Sequence, residues 1–441
     1  MGWCIWMESS EAAYRQIHQE GDVARVEIEE EVARFENPNN GGSPLWCYGA
    51  PLMVRHGDEV YLVAMETGAG VKPLCNTKWR LMRRDATGWS EVFTGEDYNE
   101  REPCPILQLP DGDMVMSVNP IHTPGESKGR CDPMLLRFDG AHKSDPPEVI
   151  APVWDEGTFF TEHSYRGIGV DGASGEILLL NIHSKTGDPW WSYRTAGGEW
   201  TTRGKIAFPI RSCYPQVGLG NGAAHVMAIG DIVEPVEEWR AFKYEQTQRD
   251  WDYVFRRLFY ASTRDIQTED FSVPIEIDTV EETAGHILNL DLILDDSGDV
   301  HLLYLKSSIQ YESMRDRFFP GEEIETSLEY VRIVEGQVEE RRTRMRKTAD
   351  SVNLKPTYGR FHRKKDGTLL TVMTALGSNG KAGTYLLGLG EDEAPESLGL
   401  AQGLRPFFTA TERGGSPPSD TVDLFGFGSE PGSLRYAKIT L

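Results

Sequence analysis

The sequence predicts an all-β chain, a seven-bladed β-propeller of four-stranded antiparallel blades, on three observations. A short apolar run, a turn rich in Gly, Asp or Asn, and a second apolar run recur seven times. Successive turns lie roughly 47 to 76 residues apart, the length of one blade with its loops. Apolar content is 39%, with 45 Gly and 25 Pro, which suits many short strands and turns better than helices.

The units follow in order. His56-Gly57-Asp58 precedes the run Val60–Thr67, and Asp111-Gly112 precedes Met114–Val118. Ser174-Gly175 leads to Ile177–Ile182, Asn221-Gly222 to Ala224–Ile229, and Ser297-Gly298 to Val300–Leu305. Asp366-Gly367 leads to Leu369–Thr374, and Ser419-Asp420 to Val422–Phe427. Gly, Asn and Asp tolerate the positive φ of a tight hairpin, so each unit reads as the two inner strands of a blade. The chain 1–441 is expected to be one propeller domain, with 1–45 leading into the first blade and Glu27–Phe35 a charged part of that lead-in. Ser10–Glu20 reads as one or two helical turns. The long, charged and aromatic stretch Asp231–Asp252 interrupts the fourth blade between strands, and Tyr311–Thr326 interrupts the fifth at the equivalent place. Insertions of that size are usually functional or disordered. Ser378–Pro395 and Gly414–Ser419 read as solvent loops.

The net charge of −24 disfavours nucleic acid and anionic membranes as partners. No apolar run approaches the length of a membrane-crossing helix, so no membrane association is expected. Six cysteines (Cys4, Cys47, Cys75, Cys104, Cys131, Cys213) are scattered without a CxxC pair, compatible with a disulfide but requiring none. Met1–Met7 is apolar but too short for a secretory signal.

In a blade the first strand descends from the channel mouth, the second returns to it, and the third starts there again. Residues at those three ends converge on one rim. His163 opens a strand and His183 closes its partner, which places two imidazoles at one end of a hairpin; imidazole is the side chain best suited to moving protons near neutral pH. Arg211 and Tyr214 lie where the fourth blade begins. Arg256 and Tyr260 enter its third strand, and alternation gives them one face. Asn119 and His122 end the second blade's return strand, and His286 starts the fifth blade. Trp190 and Trp191 follow His183 and could stack on sugar rings or pack in the core. His225 and His301 each sit three residues past a turn glycine, at matching heights toward the opposite face, where adjacent blades can share a metal or be unrelated.

Two histidines, two tyrosines and two arginines without an obvious acidic pair suit β-elimination at a uronic acid. An arginine would neutralise the C5 carboxylate, one His or Tyr would take the C5 proton, and another would protonate the departing O4. A sialidase-like or rhamnosyl-glucuronate hydrolase would instead need a carboxylate such as Glu162 or Asp231. A non-catalytic propeller that binds glycan is the third reading.

At these residues the chain resembles the propeller ulvan lyases, polysaccharide lyase families 24 and 25, within the BNR-repeat proteins. His163 and His183 on one hairpin and Arg256-x-x-x-Tyr260 carry the resemblance, supported by His225 and the Asp299-x-His301 pair. Two degenerate Asp-box-like stretches, Arg84–Trp89 and Ser192–Trp200, fit the same class. The resemblance implies an endo-acting lyase on an anionic rhamnose–glucuronate polysaccharide. It implies His163 and Tyr260 as acid and base, and His183 and Arg256 on the uronate carboxylate. Arg211, Tyr214, Asn119, His122, Tyr244, Trp190 and Trp191 are the further candidates for substrate contact. No cofactor is expected for catalysis; a structural zinc would map to His225, His301 and His286, although a cysteine ligand expected nearby reads Asp299. The protein is expected to act as a monomer, secreted or periplasmic.

Overall fold

The computed structural model describes residues 24–46, 50–123, 125–140, 145–390 and 393–441. Among them seven four-stranded antiparallel sheets follow one another around a ring, a seven-bladed β-propeller. Each predicted second run is the second strand of its blade: Glu59–Thr67, Met114–Val118, Ile177–Ile182, Ala223–Gly230, Val300–Ser307, Leu369–Leu376 and Thr421–Phe427. The glycines of the first six turns all have positive φ, from 58° at Gly57 to 90° at Gly112. Blades stack face to face, so an inner strand is covered on both sides; Ile177–Ile182 is buried at every position. That is why these runs are continuously apolar, whereas the outermost strand Gln337–Lys347 alternates between exposed and half-buried.

Ring closure differs from the sequence reading. Arg25–Arg34 is a strand that pairs antiparallel with Ser433–Thr440, from Arg25 opposite Thr440 to Arg34 opposite Ser433. It therefore completes the seventh blade rather than leading into the first. The pairing covers an edge that three C-terminal strands alone would leave open. Ser378–Pro395 is not wholly loop either: Ala382–Gly388 is the third strand of the sixth blade, paired with Leu369–Leu376. The stretch Arg84–Trp89 forms the turn between the outer strands of blade one, where Asp85 Oδ1 accepts from the Thr87 N–H at 2.7 Å. Ser10–Glu20, Cys4 and Cys47 lie outside the described residues. Cys75, Cys104, Cys131 and Cys213 are buried free thiols.

Gly414–Ser419 is no solvent loop. A 3-10 turn, Glu412–Gly414, carries the chain across the channel, with Arg413 and Ser416 buried. Gly415 (φ 89°) passes so close to blade two that a Cβ there would lie 2.0 Å from the Gln108 carbonyl oxygen. Arg413 Nη2 donates to Asp291 Oδ1 at 2.7 Å and to Gln216 Oε1 at 3.3 Å. Asp291 in turn accepts the Phe361 N–H at 2.9 Å and faces Arg360 at 3.6 Å. The buried Arg413–Asp291 pair thus ties blades four to seven at the axis.

The two insertions stand together on the face opposite the hairpin turns, the channel mouth. Blade four contributes α1 (Glu237–Thr247) and a two-stranded ribbon, Ile232–Val233 with Tyr253–Val254. Blade five contributes α2 (Glu312–Phe318). Trp239 packs edge-on against Phe319 at 5.6 Å, and Phe242 against Phe318 at 5.3 Å.

Candidate active site

The mouth is built from side chains of four loops and strand starts. Tyr165, just ahead of the strand Arg166–Val170, stacks on Tyr214 with ring centres 4.8 Å apart. Tyr214 reaches it through an irregularity in the strand Ser212–Gly220, where its φ is 52°, a conformation that a non-glycine residue adopts only when its packing holds it. Trp46 meets Tyr165 edge-on at 5.2 Å and lies 4.7 Å beneath the Arg101 guanidinium. Arg211 lies between two rings, 5.7 Å from Tyr165 and 5.7 Å from Tyr253. Its Nη1 donates to the Asp231 carbonyl at 3.0 Å and also to the Asp231 carboxylate. Burial, and after it the Glu102 carboxylate, pushes the Tyr165 phenol well above its ordinary range, so it keeps its proton.

His163 sits beside this stack on the turn that leads to Tyr165. Its side chain is 48% exposed, while that of Glu162 is 7% exposed, and the imidazole Nδ1 lies 3.1 Å from Glu162 Oε1. The other oxygen of Glu162 accepts the Gly129 N–H at 2.8 Å. Burial opposes ionisation of Glu162, but hydrogen bonds from His163 and Gly129 outweigh it and hold the carboxyl below its ordinary range. A buried carboxylate on Nδ1 orients the ring and turns Nε2 into an available base. Ser184 Oγ bonds Thr161 Oγ1 at 2.8 Å and Ser164 Oγ at 2.9 Å, tying this turn to the next loop. Gly187, in that loop, lies against the Arg211 stem, where a Cβ would be 3.0 Å from its Cγ. His163, Tyr165 and Arg211 therefore belong to one connected surface.

Other predicted residues fall elsewhere. His183 shares the hairpin end with His163 but is buried and bonded away from it. Its Nε2 lies 3.2 Å from the Gly157 carbonyl, and its Nδ1 accepts the Thr186 N–H at 3.2 Å. It clamps a loop. Arg256 is 3% exposed and held by both oxygens of Glu234, at 3.0 and 2.5 Å. Lys243 Nζ joins the same carboxylate and Asp252, each at 2.7 Å, so this network anchors α1 rather than meeting ligand. The alternation read for Arg256 and Tyr260 is present, but the shared face is interior: Arg256 is 3% exposed, Tyr260 1%, and Leu258 between them 0%.

Tyr260 points toward the turn face, where its hydroxyl shares a 2.6 Å hydrogen bond with His225 Nδ1. Tyr260→Phe is therefore expected to cost about 1–3 kcal/mol of stability, by leaving a buried ring nitrogen without its phenol, while the mouth stays intact. Chemical denaturation measures the loss; a variant as stable as the parent would show that this bond contributes nothing.

Trp191 is core, 3% exposed and packed against Phe271 at 5.8 Å. Trp190 is half-buried and tilted over His183 at 5.7 Å. Asn119 is buried and donates from Nδ2 to the Thr161 carbonyl at 3.2 Å, which places it under the His163 turn. His122 is exposed and bonded to Asp132 at 2.6 Å. Tyr244 is exposed on α1.

The three predicted metal ligands do not converge. His225 and His301 do sit at matching heights, each bonded through Nδ1 to a tyrosine of its own third strand, Tyr260 and Tyr330 (2.6 and 2.8 Å). His301 Nε2 is further engaged by Asp295 at 3.2 Å. His286 lies at the mouth end of its strand, edge-on to Phe255 at 6.0 Å. Burial holds His225 and His286 at about 4, so both rings are neutral. Among the described residues no three His, Cys, Asp or Glu side chains assemble into a ligand set, and the residues do not fit the zinc that the resemblance implied.

No protein-family model and no curated protein sequence matches this chain. Among solved structures it is similar to the polysaccharide lyase Uly1, at 11% identity and a TM-score of 0.57, over 98% of this chain and 95% of that one. A Dyadobacter fermentans protein of unknown function aligns at 11% identity and a TM-score of 0.46, over 95% and 99% of the two chains. A Penicillium chrysogenum alpha-L-arabinanase aligns at 12% identity and a TM-score of 0.44, over 94% and 98%. At these identities the likeness concerns the propeller fold.

Proposed function

We propose that the protein is a lyase that cleaves a uronic-acid polysaccharide of the ulvan type by β-elimination at the channel mouth. The observation that carries this reading is the exposed His163 imidazole, held by buried Glu162 beside the Arg211–Tyr165 stack. His163 Nε2 takes the C5 proton while Arg211, whose Nη1 holds Asp231, turns its remaining N–H groups to the uronate carboxylate and lowers the cost of carbanion character at C5. The C4–C5 double bond forms as the C4–O4 bond breaks, and a proton from solvent at the mouth reaches O4, while Tyr165 supports Arg211 from below. These roles replace those expected of Tyr260, His183 and Arg256, which the fold keeps inside. The likeness to a propeller polysaccharide lyase supports a scaffold suited to such chemistry and no more than that.

The carboxylates around the mouth favour elimination over hydrolysis. Glu102, Glu162 and Asp231 are all buried, and each is engaged by a neighbouring Arg101, His163 or Arg211. A glycosidase needs a carboxyl group open to the glycosidic oxygen.

Digestion of ulvan and of other uronate polysaccharides, followed by ultraviolet absorbance, tests the reading. The expected result is a rising signal from the conjugated C4–C5 double bond on ulvan. New reducing ends without that absorbance would replace the lyase with a hydrolase, and no product from any polymer would refute catalysis at the mouth.

A further inference from the structure

Exposed aromatic side chains are not scattered over this surface. Among the described residues the large ones that face solvent are Tyr244, Trp251, Tyr253 and Tyr311, and all come from the insertions of blades four and five. Isolated exposed apolar side chains are ordinary, but a contiguous group beside a site marks an interaction surface. One of these four, Tyr253, is joined to the mouth directly through an arginine. Arg211 bridges Tyr165 to Tyr253. Two residues before Tyr253, Trp251 (56% exposed) lies 5.7 Å beneath the Arg249 guanidinium, which makes no ion pair among the described residues. Tyr311, the residue that precedes α2, is 49% exposed.

The support beneath this surface is rigid. Lys243 holds Asp252 and Glu234 at 2.7 Å, Glu234 holds Arg256, and Arg256 lies 5.1 Å under Trp239. The aromatic rings are thus presented to solvent by a packed elbow.

We propose that Trp251 and Tyr253, interleaved with Arg211 and Arg249, form a stacking track for the polysaccharide chain leading away from the cleavage point. This rests on the function proposed above and adds an extended subsite to it. Sugar rings present flat C–H faces that stack on aromatic rings, and the two guanidiniums meet carboxylate or sulfate groups that a neutral glycan lacks.

Affinity electrophoresis of the full chain, in native gels cast with ulvan or with a neutral glucan, tests the track. Ulvan should retard the parent protein and the glucan should not. The double variant Trp251→Ala/Tyr253→Ala should bind ulvan at least about tenfold more weakly, because it loses two stacking rings. No retardation by ulvan, equal retardation of the double variant, or equal retardation by glucan would each overturn the track. Retardation by ulvan that depends on Trp251 and Tyr253, without any double-bond product, would leave the track standing and remove the lyase.

Discussion

His163→Ala is expected to lower turnover on ulvan by about 10²–10⁴-fold, the usual contribution of a positioned acid or base, in a protein that still folds and melts cooperatively. The side chain is 48% exposed and hydrogen-bonds to Glu162, so its removal opens no cavity. Glu162→Gln separates proton transfer from orientation. It keeps a hydrogen-bond acceptor for Nδ1 but removes the charge, so turnover should fall less than in His163→Ala. If His163→Ala retains full activity, the base lies elsewhere; if it unfolds, the turn and not the chemistry depends on the ring.

Asp291→Ala should destabilise the ring by about 3–5 kcal/mol, the usual cost of removing one partner of a buried ion pair. Its carboxylate is 1% exposed, accepts from Arg413 at 2.7 Å and faces Arg360 at 3.6 Å, both of them buried. Burial already pulls the Arg413 guanidinium below its ordinary range, and Asp291 offsets that penalty. Asp291→Asn should lose less, since an amide still accepts the Phe361 N–H that now bonds Oδ2 at 2.9 Å. Urea titration of both variants measures the difference. A native-like midpoint for the alanine variant would mean that the axis is held by packing alone.

The blades were legible because each carries its own local signal. A turn glycine with positive φ followed by a doubly covered apolar strand is a property of some ten neighbouring residues, and all seven second strands lie where the runs placed them. The closing strand Arg25–Arg34 was not legible, since its charged alternation becomes a strand only when Ser433–Thr440 arrives from the other end of the chain. The third strand Ala382–Gly388 was hidden by glycines and polar residues around a short apolar run.

For the site, the sequence identified His163, Arg211 and Tyr214 as residues of the mouth, because strand ends in a propeller must come there. It also selected Tyr260, Arg256 and His183, which occupy suitable places along the chain but point inward. Alternation reports which residues share a face and says nothing of whether that face meets the channel or the next blade. Glu162 and Tyr165 flank His163 and could have been found by reading its neighbours as a unit; Trp46 and Arg101 had no such signal, since they arrive on loops from other blades.

What this sequence determined by itself is therefore the repeated hairpin, the number of blades and the rim on which chemistry-bearing side chains could gather. Local backbone preference and burial are enough to specify those. Which imidazole is open to solvent, which arginine is already neutralised by Glu234, and which carboxylate bolts the axis were decided only in the tertiary structure. Those outcomes depend on partners roughly 20 to 120 residues away, and on desolvation that exists only once neighbouring blades have closed over them.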